Sequence, residues 1–175
     1  MNLRFDKRTM LLASVNARSE IHGDERQGAG DLGFSAKLPN DILSELHPSL
    51  KSALYYLDKA KPGDLVDQAR VDEPGYLPHL RYPEIGSRFK WEVEMADVTV
   101  EITGKDGREV KLTGAKLNDI NFAPLDGGTV DFKFRIQAHP DAKQFGKLCA
   151  GLIQTEVTVT VTPAPEPAEL PGTTA

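Results

Sequence analysis

Cysteine is almost missing from this chain of 175 residues: Cys149 stands alone, so no intrachain disulfide can form. Its setting in Leu148-Cys149-Ala150 reads as a small buried hydrophobe rather than a reactive thiol. An apolar run of the ~18 residues that a membrane span needs is also missing. Arg4, Asp6, Lys7 and Arg8 leave no room for the apolar segment of a secretory signal near the start, and the expectation is an unprocessed cytoplasmic protein. Positive charge is in deficit, with 21 Lys and Arg against 26 Asp and Glu and a formal net charge of −5. Such a balance excludes a function that needs a globally basic surface, such as nonspecific wrapping of duplex DNA, but leaves room for a local basic groove. Finally, the chain has no nucleophile elbow, P-loop, dinucleotide fingerprint or paired zinc cysteines. No enzyme activity and no cofactor are expected.

What the sequence does have is alternation. Phe132, Phe134 and Ile136 face one way and Asp131, Lys133, Arg135 and Gln137 the other, the period of a half-buried antiparallel strand. The pattern returns in Trp91/Val93/Met95, Val98/Val100/Ile102, Val110/Leu112 and Val157/Val159/Val161, and near the start in residues 2 to 15 and in Leu32/Phe34/Ala36/Leu38. Between the two early strands, residues 16 to 30 hold three glycines among polar side chains and read as a long loop. Lys105-Asp106-Gly107 and Asp126-Gly127-Gly128 are hairpin turns, because Asp and Gly tolerate the positive φ that such turns demand. The expected fold is mainly β, β-rich α+β: an antiparallel sandwich or partly closed barrel of about eight strands, with the strand count favouring the sandwich over a five-stranded OB-type barrel.

One domain over residues 1–162 is expected, since a chain of this length buries about 70% of its unfolded surface. Asn40-Asp41 offers an N-cap, and Ile42/Leu43/Leu46 and Leu50/Ala53/Leu54/Leu57 follow at helical spacing, giving a short helical insertion over about 41–57. Residues 58–88 contain Pro62-Gly63, Pro74-Gly75, Pro78, Pro83 and Gly86 with no sustained period, an irregular stretch long enough to suggest function. A short helix is expected over 141 to 153. Residues 163–175, with their prolines, Glu166 and Glu169, read as an extended or disordered acidic tail.

Three constellations carry possible chemistry. Tyr76, His79, Arg81, Tyr82, Arg88, Phe89, Lys90 and Trp91 interleave rings with cations inside an acidic protein. Single-stranded nucleic acid needs that mixture, rings stacking on bases at roughly 1–3 kcal/mol each while cations follow phosphates. Tyr76, Tyr82, Phe89 and Trp91 would stack, and Arg81, Arg88 and Lys90 would meet phosphates. The competing account makes Phe89 and Trp91 core residues, with Tyr76 and Tyr82 pinning the loop. The triplets His22-Gly23-Asp24 and His139-Pro140-Asp141 combine imidazole with carboxylate, yet polar residues in Gly/Pro turns commonly serve only the turn, and no metal site is expected. The first strand and the last, Thr155 to Thr162, would offer pairing edges to a second copy or a partner if they lie at a sheet margin.

The strings Val15-Asn-Ala-Arg-Ser-Glu-Ile-His-Gly-Asp-Glu25, Pro39-Asn-Asp-Ile-Leu43, and Gly127-Gly-Thr-Val130 with Phe134-Arg-Ile-Gln137 resemble a family of small proteins from tailed bacteriophages and prophages. The likeness spreads over most of residues 10 to 162 and carries no catalytic motif. It implies a place among early genes, near recombination and replication functions or factors that disarm host defence. Two functions are therefore expected: a non-enzymatic single-stranded DNA-binding or recombination accessory protein, or a protein-binding inhibitor or adaptor acting on a host protein. A continuous positive stripe along residues 76 to 91 would favour the first, and its absence the second.

Overall fold

The computed structural model describes residues 3–22 and 25–165, with only the backbone given for His22 and residues 25–27. Gly23, Asp24 and the end of the tail, including Glu166 and Glu169, lie outside the described residues. The strands are β1 (Phe5–His22), β2 (Glu25–Pro39), β3 (Tyr55–Tyr56), β4 (His79–Leu80), β5 (Phe89–Trp91), β6 (Met95–Gly104), β7 (Glu109–Leu125), β8 (Thr129–Ala138) and β9 (Glu156–Thr162).

Alternation becomes architecture most directly in β8. Val130, Phe132, Phe134, Ile136 and Ala138 are all buried, while the residues between them face outward. The main sheet runs β5-β7-β6-β9-β1-β2-β8, and β8 then pairs back onto β7. That last ladder closes six antiparallel strands into a barrel, with β5 an added strand beside β7. Of the two forms expected from the sequence, the barrel is the one present, and it is closed where a partly closed one was expected. Its interior holds Phe5, Phe34 and Phe134 in a stack with centroids 5.2 Å apart at each step. Val100, Ile102, Leu117, Ile120, Val157, Val159 and Val161 complete the inner wall. Each such side chain contributes about 1.5–3 kcal/mol by leaving water.

Both barrel ends are plugged. At one end α1 (Ile42–Leu46) and α2 (Leu50–Leu54) insert Ile42, Leu43 and Leu46, in the place expected for the helical insertion. Tyr55 follows, fully buried, and its phenol donates to the Thr129 carbonyl at 2.7 Å and accepts the Leu125 amide at 3.0 Å, tying the plug to the β7–β8 turn. At the other end lie α4 (Ala142–Lys147) and a π-helical turn (Leu148–Leu152) that buries Leu148 and Leu152. Asp141 starts α4 with a capping box, accepting the Gln144 amide at 2.7 Å while the Gln144 side chain accepts the Asp141 amide at 2.8 Å. Cys149 sits on the outer side of that π-helical turn and is exposed. It is not the buried hydrophobe expected, because the turn aims its neighbour Leu148 and Leu152 inward instead.

Residues 16–22 and 25–30 are not a loop. They form the outer half of a long β1–β2 hairpin, paired from Ser14↔Gly33 to His22↔Glu25. This arm covers no core on its outer part, where Ile21 is 69% exposed, so it has no apolar alternation and its ladder is invisible to composition. The margins expected at the first and last strands are also displaced. The first half of β1 lies between β9 and β2, and β9 lies between β1 and β6. Only beyond Leu12 does β1 pair with β2 alone.

Candidate functional site

The stretch 58–88 is more ordered than its composition suggests. It carries α3 (Leu65–Arg70), capped by Asp64, whose carboxylate accepts the Val66 and Asp67 amides at 2.9 and 3.0 Å. Asp67 is buried at 5% exposure, yet it is partnered twice: the Tyr76 hydroxyl donates to it at 2.7 Å, and His79 Nε2 lies 3.1 Å away. The Arg70 guanidinium covers the Tyr76 ring at 4.2 Å. Donation to Asp67, with some burial, holds the Tyr76 phenol above its ordinary pKa. Two further ties bind this segment to the plug. Lys51, itself buried, reaches Asp41 at 2.6 Å and the Gly75 carbonyl, and Asn40 Nδ2 donates to the Leu77 carbonyl at 2.7 Å. Tyr76 is thus a pin of the loop.

After β4 the chain turns outward, and Arg81 to Lys90 are all exposed. Tyr82 at 60%, Ile85 at 58% and Phe89 at 37% surround an apolar depression floored by Leu54, Leu80 and Pro124. Phe89 is held in place by pairing with Phe122 across β5–β7, their rings 5.5 Å apart. Single exposed apolar residues are ordinary, but a contiguous cluster that includes two rings marks an interaction surface.

The cations around this patch are already occupied. Arg81 donates through Nε to the Ser52 carbonyl at 2.7 Å and lies 5.9 Å from the Tyr56 ring. Arg88 pairs with Asp131, and Lys90 with Glu92 at 3.2 Å. No continuous positive stripe runs along 76 to 91. Trp91 is half-buried against the barrel wall, with its indole nitrogen buried and lacking a protein partner.

No family model, curated protein or solved structure matches this chain.

The seven residues expected to form one site therefore fall in three places. Arg81, Tyr82 and Phe89 share the apolar patch. Tyr76 belongs to the internal pin. Arg88, Lys90 and Trp91 turn to the outer wall of the barrel beside β7 and β8. Sequence reasoning missed Ile85, which lies between proline and glycine with no strand period to flag it.

The His-x-Asp triplets do not converge among the described residues. His139 Nδ1 lies 3.2 Å from the Gly28 carbonyl and its Nε2 3.8 Å from Glu20, whereas Asp141 caps α4. The side chains of His22 and Asp24 lie outside the described residues. No group of three His, Cys, Asp or Glu side chains placed to hold a metal occurs among the described residues. No helix there is long and apolar enough to cross a membrane.

Proposed function

We propose that this protein is a non-enzymatic binding module whose Tyr82–Ile85–Phe89 face docks a protein partner. The observation that carries this reading is an exposed apolar cluster of two rings and an isoleucine with no continuous positive stripe beside it. Two rings and an isoleucine stand out of the surface near Arg81, while Arg88 and Lys90 turn to the barrel wall and pair there with Asp131 and Glu92. Protein interfaces are built that way, with aromatic anchors at the centre and arginine nearby. A phosphate backbone needs net positive charge instead. The partner presents apolar side chains to the depression above Leu54, Leu80 and Pro124. In the setting that the phage resemblance implies, it is a host protein.

Single-stranded DNA is the second reading. It draws on Tyr82 and Phe89 as exposed rings and on Arg81, which lacks a carboxylate partner among the described residues.

One pair of experiments tests both. A photoreactive residue at Ile85 in the cellular host is expected to give a discrete protein adduct that vanishes with Tyr82→Asp and does not form from a probe at Lys105. No adduct at Ile85 overturns the protein reading. Tight, salt-dependent binding of labelled single-stranded DNA that is lost with Tyr82→Ala would transfer the surface to nucleic acid.

A further inference from the structure

Across the outer wall, four strands align polar side chains in rows. One row crosses Ser35, Lys133 and Asn121 on β2, β8 and β7. The next crosses Ser14, Gly33, Arg135 and Asn118, and a third brings Asn16 and Asp31 beside Gln137. Ser14, Gly33 and Ser35 are small while Lys133, Arg135 and Arg88 are long, so the wall sinks into a hollow of about 390 Å³. Ser14 and Gly33 are in close contact, since a side chain added at Gly33 would meet the Ser14 hydroxyl at 2.6 Å.

Three features distinguish this hollow from ordinary solvated sheet. First, three buried side-chain polar atoms among the described residues lack a hydrogen-bond partner in the protein, Asp31 Oδ1, Asn118 Oδ1 and Trp91 Nε1. Asp31 lines the hollow, and the other two residues line an adjoining one that shares Asp119 and Arg135 with it. Buried polar groups are normally satisfied, so their concentration here points to a ligand that completes them. Second, Asp119 has φ +50° in a bulge of β7 between Asn118 and Asn121, a strained conformation of the kind that gathers at binding sites. Third, the cations are ranked. Arg88 and Arg135 pair with Asp131 and Asp119, whereas Lys133, between Asp131 and Arg135 on β8, has no ion-pair partner among the described residues.

We propose that this hollow binds a small phosphate monoester that carries hydroxyl donors. Its phosphate lies at Lys133, flanked by the Ser35 hydroxyl, the Asn121 amide and the two arginines. Its hydroxyls face Asp31 at the far end, one strand across and four residues along from Lys133, roughly 14 Å between backbones by strand geometry, a span filled jointly by the long lysine side chain and the sugar phosphate. The volume falls within the range of small-molecule sites, roughly 300–1,000 Å³. A polynucleotide is disfavoured, because Lys133 is the one cation of the hollow without an ion-pair partner among the described residues, and the carboxylates of Asp119 and Asp131 near it would repel further phosphates. The wall is polar, so an apolar ligand would strand its hydrogen-bonding groups. This site is separate from the Tyr82 face and does not rest on that reading.

The test is calorimetric titration of the full chain with ribose 5-phosphate, adenosine 5′-monophosphate and inorganic phosphate. One site per chain is expected, with at least one monoester binding ten-fold or more tighter than inorganic phosphate. Tighter binding of the nucleotide than of the sugar phosphate would mean that the base is also read, and equal binding that the sugar phosphate suffices. Lys133→Ala, a change at an exposed side chain with no ion-pair partner among the described residues, should weaken binding at least ten-fold with an unchanged unfolding midpoint. Ser35→Phe, which fills the hollow, should do the same. If both monoesters bind no more tightly than inorganic phosphate, or if Lys133→Ala leaves their affinity unchanged, the proposal is wrong.

Discussion

Tyr55 joins the helical plug to the barrel wall. It follows the plug helices, occupies the barrel end and holds both sides of the β7–β8 turn through one oxygen. Removing that oxygen leaves the Leu125 amide and the Thr129 carbonyl without this partner, so Tyr55→Phe is expected to cost about 1–3 kcal/mol in chemical denaturation at neutral pH. The pH dependence has a definite sign. Burial, opposed by the Leu125 hydrogen bond and helped by Asp126, pushes the phenol up to about 12, against about 10 in an unfolded chain. A group raised in the fold contributes fully below the unfolded value and loses its contribution as pH rises through the folded one. The gap between wild type and Tyr55→Phe should therefore shrink from pH 10 to 12. A gap that stays constant would show that the phenol does not ionise with unfolding. At this scale the sequence was partly legible. The aromatic and basic character of residues 76 to 91 was plain, but which rings face solvent depends on contacts made elsewhere, Tyr76 on Asp67 and Phe89 on Phe122.

Among the elements, the segment from α3 to β4 depends on one buried carboxylate. Asp67 is the meeting point of Tyr76 and His79, and little apolar surface helps them, since Leu65 and Val66 are exposed on the same helix. Asp67→Ala should therefore release the segment and leave the barrel standing. Limited trypsin digestion is expected to cut faster at Lys59 or Arg70, while the global unfolding midpoint falls only slightly. Unchanged cleavage would mean that Lys51 and Asn40 hold the segment by themselves. The helical insertion was readable because Ile42, Leu43 and Leu46 repeat at the period of a helix that has a core to face. The outer half of the β1–β2 hairpin was not, for the opposite reason: Asn16–His22 and Glu25–Gly30 pair backbone to backbone without a shared apolar face, and backbone pairing leaves no trace in residue type. The polar hollow of the barrel wall escaped in the same way. Its side chains come from four separate strands, and each one alone reads as solvated surface.

For the whole molecule, closure is the decisive property. β9 fills the gap between β1 and β6, so a strand from the chain's last fifth completes a wall begun by its first. Deleting residues 156–175 should abolish cooperative unfolding, whereas a truncated chain that still unfolded in one sharp transition would show that the barrel tolerates an open seam. Closure also determines where bare backbone remains. The stretch of β7 that lies outside its ladder with β8 is shielded by α4, where Gln144 donates to the Lys111 carbonyl at 2.8 Å and Lys147 to that of Glu109 at 2.9 Å. β5 is only three residues long. What is left among the described residues is the outer arm, where the rim of β1 beyond Leu12 and that of β2 before Gly30 carry unpaired ladder positions on which a foreign strand can template itself. Arg18 stands on the β1 rim, held to Glu20 at 2.8 Å and to Asp31 at 3.3 Å. In colloidal terms these charges act as a gatekeeper: an incoming strand must strip their hydration and break their pairing before it can zip onto the arm.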